Sequence, residues 1–287
     1  MTLLRPAAHF AACLAFSLTL AAAAPNEVIL VGTAHTMHLK AEFHYSLADL
    51  QQEIEALKPD VICGEITPEA YHGPMEGNFP IEAAFLDEIA PALHAKFVPA
   101  DWRVAMEWQR RANKLTPKEV KDRAAAIDRQ QGEDIMGYKG PSLFDYVHSE
   151  RFLGLSDQKF HEINGEDTAA DIAAGAWHER NRKIIENCLT GAGDAQRIVI
   201  AIGSNHLAQL RRELTTQGVP FRIATRSFTP TTAPVPANVV ARWRKNLANI
   251  KRILSSELAV SRNDRETVKS NRRNLEEIET AVEAATH

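Results

Sequence analysis

Cysteine is the first shortage. The 287-residue chain has three, and Cys13 lies in an apolar leader, so only Cys63 and Cys188 remain. Two thiols cannot build a disulfide scaffold, and no cysteine pair stands at zinc-binding spacing. Whether these two are bridged is left open by sequence; the pattern around Cys63 reads as a small apolar residue in a strand. Local catalytic signatures are lacking too. There is no His-Glu-x-x-His, no P-loop, no Gly-x-Gly-x-x-Gly behind an apolar run and no Gly-x-Ser-x-Gly, which removes the zincin, nucleotide-binding and serine-elbow readings. Excess positive charge is also missing. The formal net charge is −4, and the arginine clusters at Arg110-Arg111, Arg211-Arg212 and Arg242 to Arg252 are interspersed with acids, so they read as solvated helix faces and not as a nucleic-acid surface.

Among what is present, residues 1–24 combine a lone charge at Arg5, an apolar stretch from about His9 to Leu20, and Ala21 to Ala24. This is the layout of a secretory signal peptide, with cleavage expected after Ala23 or Ala24. The apolar stretch is shorter than the ~20 residues of a membrane span, so the expectation is a periplasmic or secreted protein with no stable membrane insertion after cleavage. Cys13 sits inside the stretch, not at its end, which disfavours a lipoprotein anchor. Removing the leader takes away one basic residue and no acid, so the mature charge falls from −4 to −5.

Four apolar runs of strand length follow, and each ends on an ionisable side chain. Val28 to Val31 leads through Gly32-Thr33-Ala34 to His35. Val61-Ile62-Cys63-Gly64 leads to Glu65, and Phe97-Val98-Pro99-Ala100 to Asp101-Trp102-Arg103. Ile198 to Ile202 leads through Gly203-Ser204-Asn205 to His206. Helical spacing separates the runs, beginning with Leu47 to Lys58 behind a Ser46 cap, and the short fifth run Phe221 to Ala224 follows a helix ending near Gly218. The fold class implied is α/β, with a mostly parallel or mixed central sheet flanked by helices. Open sheets of this class bind ligands outside the carboxyl ends of their strands, so the four ends predict one site.

The remaining pattern is helical. Residues 104–190 read as an insertion over the strand ends, with helices expected at 108–115, 117–131, 143–153 and 168–189. Spacing alone puts His178-Glu179-Arg180-Asn181 on a solvated helix face. The Pro- and Gly-rich loop Thr67 to Pro80, with His72, is expected near the mouth of the site. Residues 25–226 form the main domain, 227–237 a linker and 238–287 a C-terminal helical segment, whose apolar stripe suits a packing or dimerising hairpin.

Two histidines and a carboxylate are a common ligand set for a divalent ion that activates water. That chemistry would place His35, Glu65 and His206 around zinc, manganese or cobalt. The same residues permit a metal-free alternative, in which His35 or His206 acts as base on water, Glu65 orients it, and Arg180 or Arg103 stabilises the oxyanion. Ser204 with His206 and Asp101 lacks the nucleophile-elbow context and is not the preferred reading.

Taken in order, Val31-Gly32-Thr33-Ala34-His35, Gly64-Glu65, Asp101-Trp102-Arg103, Glu179-Arg180-Asn181 and Ile202-Gly203-Ser204-Asn205-His206-Leu207 resemble the motifs of the TraB, PrgY, GumN and TIKI superfamily. The resemblance spans about residues 27–225. It implies an EreA/ChaN-like core with a mixed sheet and a pocket holding His35, Glu65, Arg180 and His206, with Asp101 and Arg103 matching a weaker motif. One branch implies metal-dependent proteolysis, another metal-independent ester hydrolysis, and a third haem binding. The expectation is therefore an exported hydrolase acting on a peptide or amide bond of a peptide or small-molecule substrate. The alternatives are an esterase-like enzyme and a periplasmic haem- or metal-binding protein using His35, His38 or His206.

Overall fold

The structure is a computed structural model that describes residues 27–260 and 265–286. The signal-peptide expectation and the expected division of the C-terminal hairpin at 261–264 lie outside the described residues. Five strands, β1 (Glu27–Thr33), β2 (Val61–Gly64), β3 (Lys96–Pro99), β4 (Arg197–Gly203) and β5 (Phe221–Ile223), form a sheet in the order β3-β2-β4-β1-β5. All its pairings are parallel, where a mixed sheet had been one of the expectations. Parallel strands need crossovers, and crossovers put helices on both faces. The strands are accordingly apolar on both sides. Ile29, Val31, Ile62, Val199 and Ala201 face one core, while Val28, Leu30, Cys63, Ile198, Ile200 and Ile202 face the other.

The first core is covered by α1 (Leu47–Leu57), α2 (Ile81–Ile89), α5 (Leu143–Val147) and the C-terminal helices α10 (Ala237–Val260) and α11 (Arg265–Ala284). Ser46 caps α1 reciprocally: its hydroxyl accepts from Asp49 N–H while the Asp49 carboxylate accepts from Ser46 N–H. From the C-terminal pair, Val239, Trp243, Ile278 and Val282 belong to this core. The second core is covered by α6 (Glu150–Asp157), α8 (Trp177–Ala192) and α9 (Leu207–Gln217).

The insertion also holds α3 (Met106–Leu115), α4 (Lys118–Gly137), a π-helical turn at Gln158–Asn164 and α7 (Ala169–Ala173). Two of the expected helices are broken. The helix expected at 143–153 stops at His148, and Ser149 caps a new one. The helix expected at 168–189 is interrupted at Gly175 and Ala176, both at positive φ, a conformation that ends a right-handed helix. Thr116, between α3 and α4, donates its hydroxyl back to Ala112 O.

Cys63 and Cys188 are joined in a disulfide, with Cα atoms 5.7 Å apart. Cys63 is thus a bonded residue and not merely a small apolar one. The bridge ties β2 to the middle of α8, across the second core.

Candidate active site at the strand ends

The sheet order makes β3, β2, β4 and β1 consecutive neighbours, so their carboxyl ends lie side by side at about 4.8 Å spacing. Asp101, Glu65, His206 and His35 leave these four ends, as the sequence pattern implies. The insertion adds Arg180 and Asn181 from the first turns of α8. The helix starts at Trp177, and of the tetrad expected on a solvated face only Glu179 is exposed, while Arg180 and Asn181 turn to the strand ends. His178 and Asn181 are buried, and the Arg180 side chain is 12% exposed.

Arg180 is the tie between neighbouring strand ends. Its Nε donates to Asp101 Oδ1 at 2.7 Å, and its NH2 donates to Asp101 Oδ2 at 3.0 Å and to Glu65 Oε1 at 2.8 Å. Arg103 donates from Nε to Asp101 Oδ2 at 2.8 Å. Burial opposes the charged form of each carboxylate. His35 and Arg180 nevertheless hold Glu65 below its ordinary pKa, and Arg180 and Arg103 do the same for Asp101. Both are anions at neutral pH.

The two site histidines are held in opposite states. His35 has φ 51°, a left-handed conformation that is costly for a residue with a Cβ. Its Nδ1–H donates to Glu82 Oε1 at 2.7 Å, and Thr33 donates to the same oxygen. Burial disfavours the imidazolium, but Glu82 outweighs it and lifts the pKa to about 9, while Glu82 itself falls to about 2. His35 is therefore cationic at neutral pH. His206 is pushed well below its ordinary value by burial and by Arg180, so it is neutral. Its ring stacks on Trp177 with centroids 4.2 Å apart, and its Nδ1 bonds Asn181 Oδ1 at 2.8 Å. The Asn181 amide is oriented by its own Nδ2–H, donated to Trp177 O. Nδ1 of His206 is thus the donor, and Nε2 carries the lone pair, 3.9 Å from Glu65 Oε1.

The glycines of the two Gly-x-x-His segments have a steric cause. A Cβ on Gly203 would lie 2.7 Å from His35 Nε2 and 2.9 Å from Glu65 Oε2, while Gly203 N–H donates to that same Oε2. A Cβ on Gly32 would strike Leu207 at 2.9 Å. The chain closes around its glycines so that imidazole and carboxylate can meet over a bare backbone.

The sequence offers no pointer to Glu82, which reads as a helix-face acid, or to Trp177. His148 also went unread. Its Nε2 accepts from Gly32 N–H at 2.8 Å and its Nδ1–H donates to Phe144 O. His38 is likewise spent: Nε2 accepts from Ala34 N–H and Nδ1–H donates to Tyr45 O, leaving no nitrogen for a metal or haem iron. The 67–80 loop reaches the site only at its end, where Phe79 lies under Arg103 at 4.8 Å. His72, expected at the mouth, pairs with Arg242 of α10.

A divalent ion fits this donor set poorly. Glu65 Oε1 accepts from Arg180 and Oε2 from Gly203 N–H, and two guanidinium groups flank the carboxylate. Among the described residues no group of three or more His, Cys, Asp or Glu side chains is arranged to hold a metal. No described helix is long and apolar enough to cross a membrane. No family model, curated protein or solved structure matches the chain.

Proposed function

We propose that the protein is an exported hydrolase that cleaves an ester or amide bond with water activated by histidine, without routing the chemistry through a metal. The observation that carries this reading is the different setting of the two histidines: His35 bonds the buried Glu82 carboxylate, which favours its cation, while buried His206 bonds the Asn181 amide oxygen and keeps Nε2 free. Environments that push two titratable groups apart assign an acceptor and a donor for proton transfer. The 3.9 Å between His206 Nε2 and Glu65 Oε1 is too long for a hydrogen bond and suits a water that donates to both.

In this scheme His206 Nε2 takes the proton of the attacking water, and Glu65 orients the water and steadies the imidazolium that forms. His35 Nε2–H donates to the carbonyl oxygen or the leaving group. Arg180, three of whose hydrogen bonds go to carboxylates, positions Glu65 and Asp101 and is not the oxyanion donor. The resemblance of the strand-end motifs to those of the TraB/TIKI-like superfamily supports hydrolysis, and the buried disulfide suits an oxidising compartment outside the cytoplasm.

The test is a panel of chromogenic acyl esters and amides assayed with and without chelator. Expected is turnover that survives the chelator and falls about 100-fold or more in His206→Gln, the loss usual for removing a general base. Chelator-sensitive turnover that zinc, manganese or cobalt restores would return the metal-dependent peptidase reading.

A further inference from the structure

Among the residues of the strand-end cluster, exposure is divided by sign. The carboxylates lie at the back: Glu65 is 5% exposed, Asp101 0% and Glu82 1%. The groups that reach solvent are both cations, with the His35 side chain 47% exposed and the Arg103 side chain 40%.

Arg103 is built like a receptor. Its Nε is anchored on Asp101 and its guanidinium is laid over the Phe79 ring, which together fix both position and plane. The terminal nitrogens make no hydrogen bond among the described residues; Glu65 Oε1 lies 3.8 Å from NH2, too far for one. A guanidinium held by its side leaves its end-on fork free, and two parallel N–H groups match the two oxygens of a planar carboxylate. Glu65 opposes an incoming anion, but its oxygens are bonded inward by Arg180 and by Gly203 N–H.

We infer that the substrate carries a free carboxylate beside the scissile bond, gripped end-on by Arg103 between Phe79 and His35, as in an N-acyl amino acid or the C-terminal residue of a peptide. The ring of Phe79 offers an apolar wall to the side chain next to that carboxylate. His35, cationic at neutral pH, adds a second positive group close to Glu65, since a Cβ on Gly203 would meet both side chains. The inference deepens the hydrolase reading and rests on it only in calling the ligand a substrate.

Binding at equilibrium tests it without turnover. N-methylsulfonyl-L-phenylalanine, whose sulfonamide offers no acyl bond to cleave, its neutral amide and phenyl phosphate are titrated calorimetrically into the mature, oxidised protein. The acid is expected to bind at least about tenfold more tightly than the amide, the margin of one charge-assisted bidentate pair. Arg103→Gln is expected to erase that margin while leaving amide binding in place, and Arg103→Lys, which keeps the charge without the fork, to restore only part of it. Equal affinity for acid and amide in the wild type overturns the inference whatever the variants do. So does tighter binding of phenyl phosphate than of the acid, or no acid binding at about 10 mM. An acid that binds selectively while no ester or amide is ever cleaved would keep the receptor and remove the hydrolase.

Discussion

Arg180 and Arg242 are each ringed by carboxylates, and of the two only Arg180 stands at a candidate site. Arg180 joins Glu65 and Asp101 at the strand ends. Arg242 of α10 joins Glu76, Asp87 and Glu88 where the C-terminal helices meet α2 and the 67–80 loop, and it is 10% exposed. Around Arg242 every donor is used. Nε reaches Glu76 Oε2, NH1 reaches Asp87, Glu88 and the Ala84 carbonyl, and NH2 reaches Glu76 Oε1 and His72 Nδ1. Asn246 adds another hydrogen bond to Glu76. The Arg180 cluster uses the same chemistry but leaves three groups unspent: the lone pair on His206 Nε2, the outward edge of His35 and the fork of Arg103. An arginine ringed by carboxylates is therefore no sign of a site. Polar groups left over, and held in place by partners that are themselves satisfied, are the sign.

The contrast is sharpest when each arginine is removed. Arg242→Met strands three carboxylates and is expected to cost about 3–5 kcal/mol in urea denaturation, while ligand affinity per folded molecule stays unchanged. Arg180→Met should cost a similar amount and abolish ligand binding as well. If Arg242→Met also weakens binding, the two clusters are not separate in function.

Breaking the disulfide comes next. Cys188→Ala is expected to lower stability by about 2–5 kcal/mol. Because the bridge clamps the strand that bears Glu65 to the helix that bears Arg180, amide exchange should quicken at β2 and α8 before it quickens at α10. Equal quickening in both would deny that the clamp serves the site.

His148 extends the idea of spent groups to pH. Burial lowers its pKa to about 4 from an ordinary 6.5. The unfolded chain therefore binds a proton in that window that the folded chain does not, and stability falls as pH drops from 6.5 towards 4. At pH 5 the loss from this group is about 2 kcal/mol relative to pH 7.5, and His148→Gln should flatten that part of the profile.

The smallest stability change is expected for Arg103→Gln. A side chain this exposed contributes at most about 1 kcal/mol through its ion pair, so its melting curve should nearly overlay that of the wild type while carboxylate binding is lost. A large stability loss would place Arg103 with Arg242 among the structural arginines.

Much of this arrangement can be read in the chain. A buried parallel strand is apolar on both faces, and the residue after it must leave the sheet, so His35, Glu65, Asp101 and His206 announce themselves by position. Arg180 can be read only through its motif context, because helical spacing does not reveal that the first turns of α8 overlie the strand ends. Glu82 and His148 leave no local trace. Their partners His35 and Gly32 are 47 and 116 positions away, and nothing in the local pattern separates a helix-face glutamate from one that charges a histidine. The helix breaks at His148 and at Gly175-Ala176 depend on tertiary packing and backbone conformation that propensity does not encode.

The Cys63–Cys188 bridge also changes the molecule's connectivity. It closes the polypeptide into a covalent ring that contains Glu65, Asp101, Arg103 and Arg180, together with every helix of the insertion from α3 to α7 and most of α8. A protease that cuts once anywhere on that ring turns one chain into two without releasing either. On a denaturing gel the nicked protein would run as a single species until a reductant is added. The molecule can in this way lose a peptide bond in the insertion and keep both halves of its candidate site together.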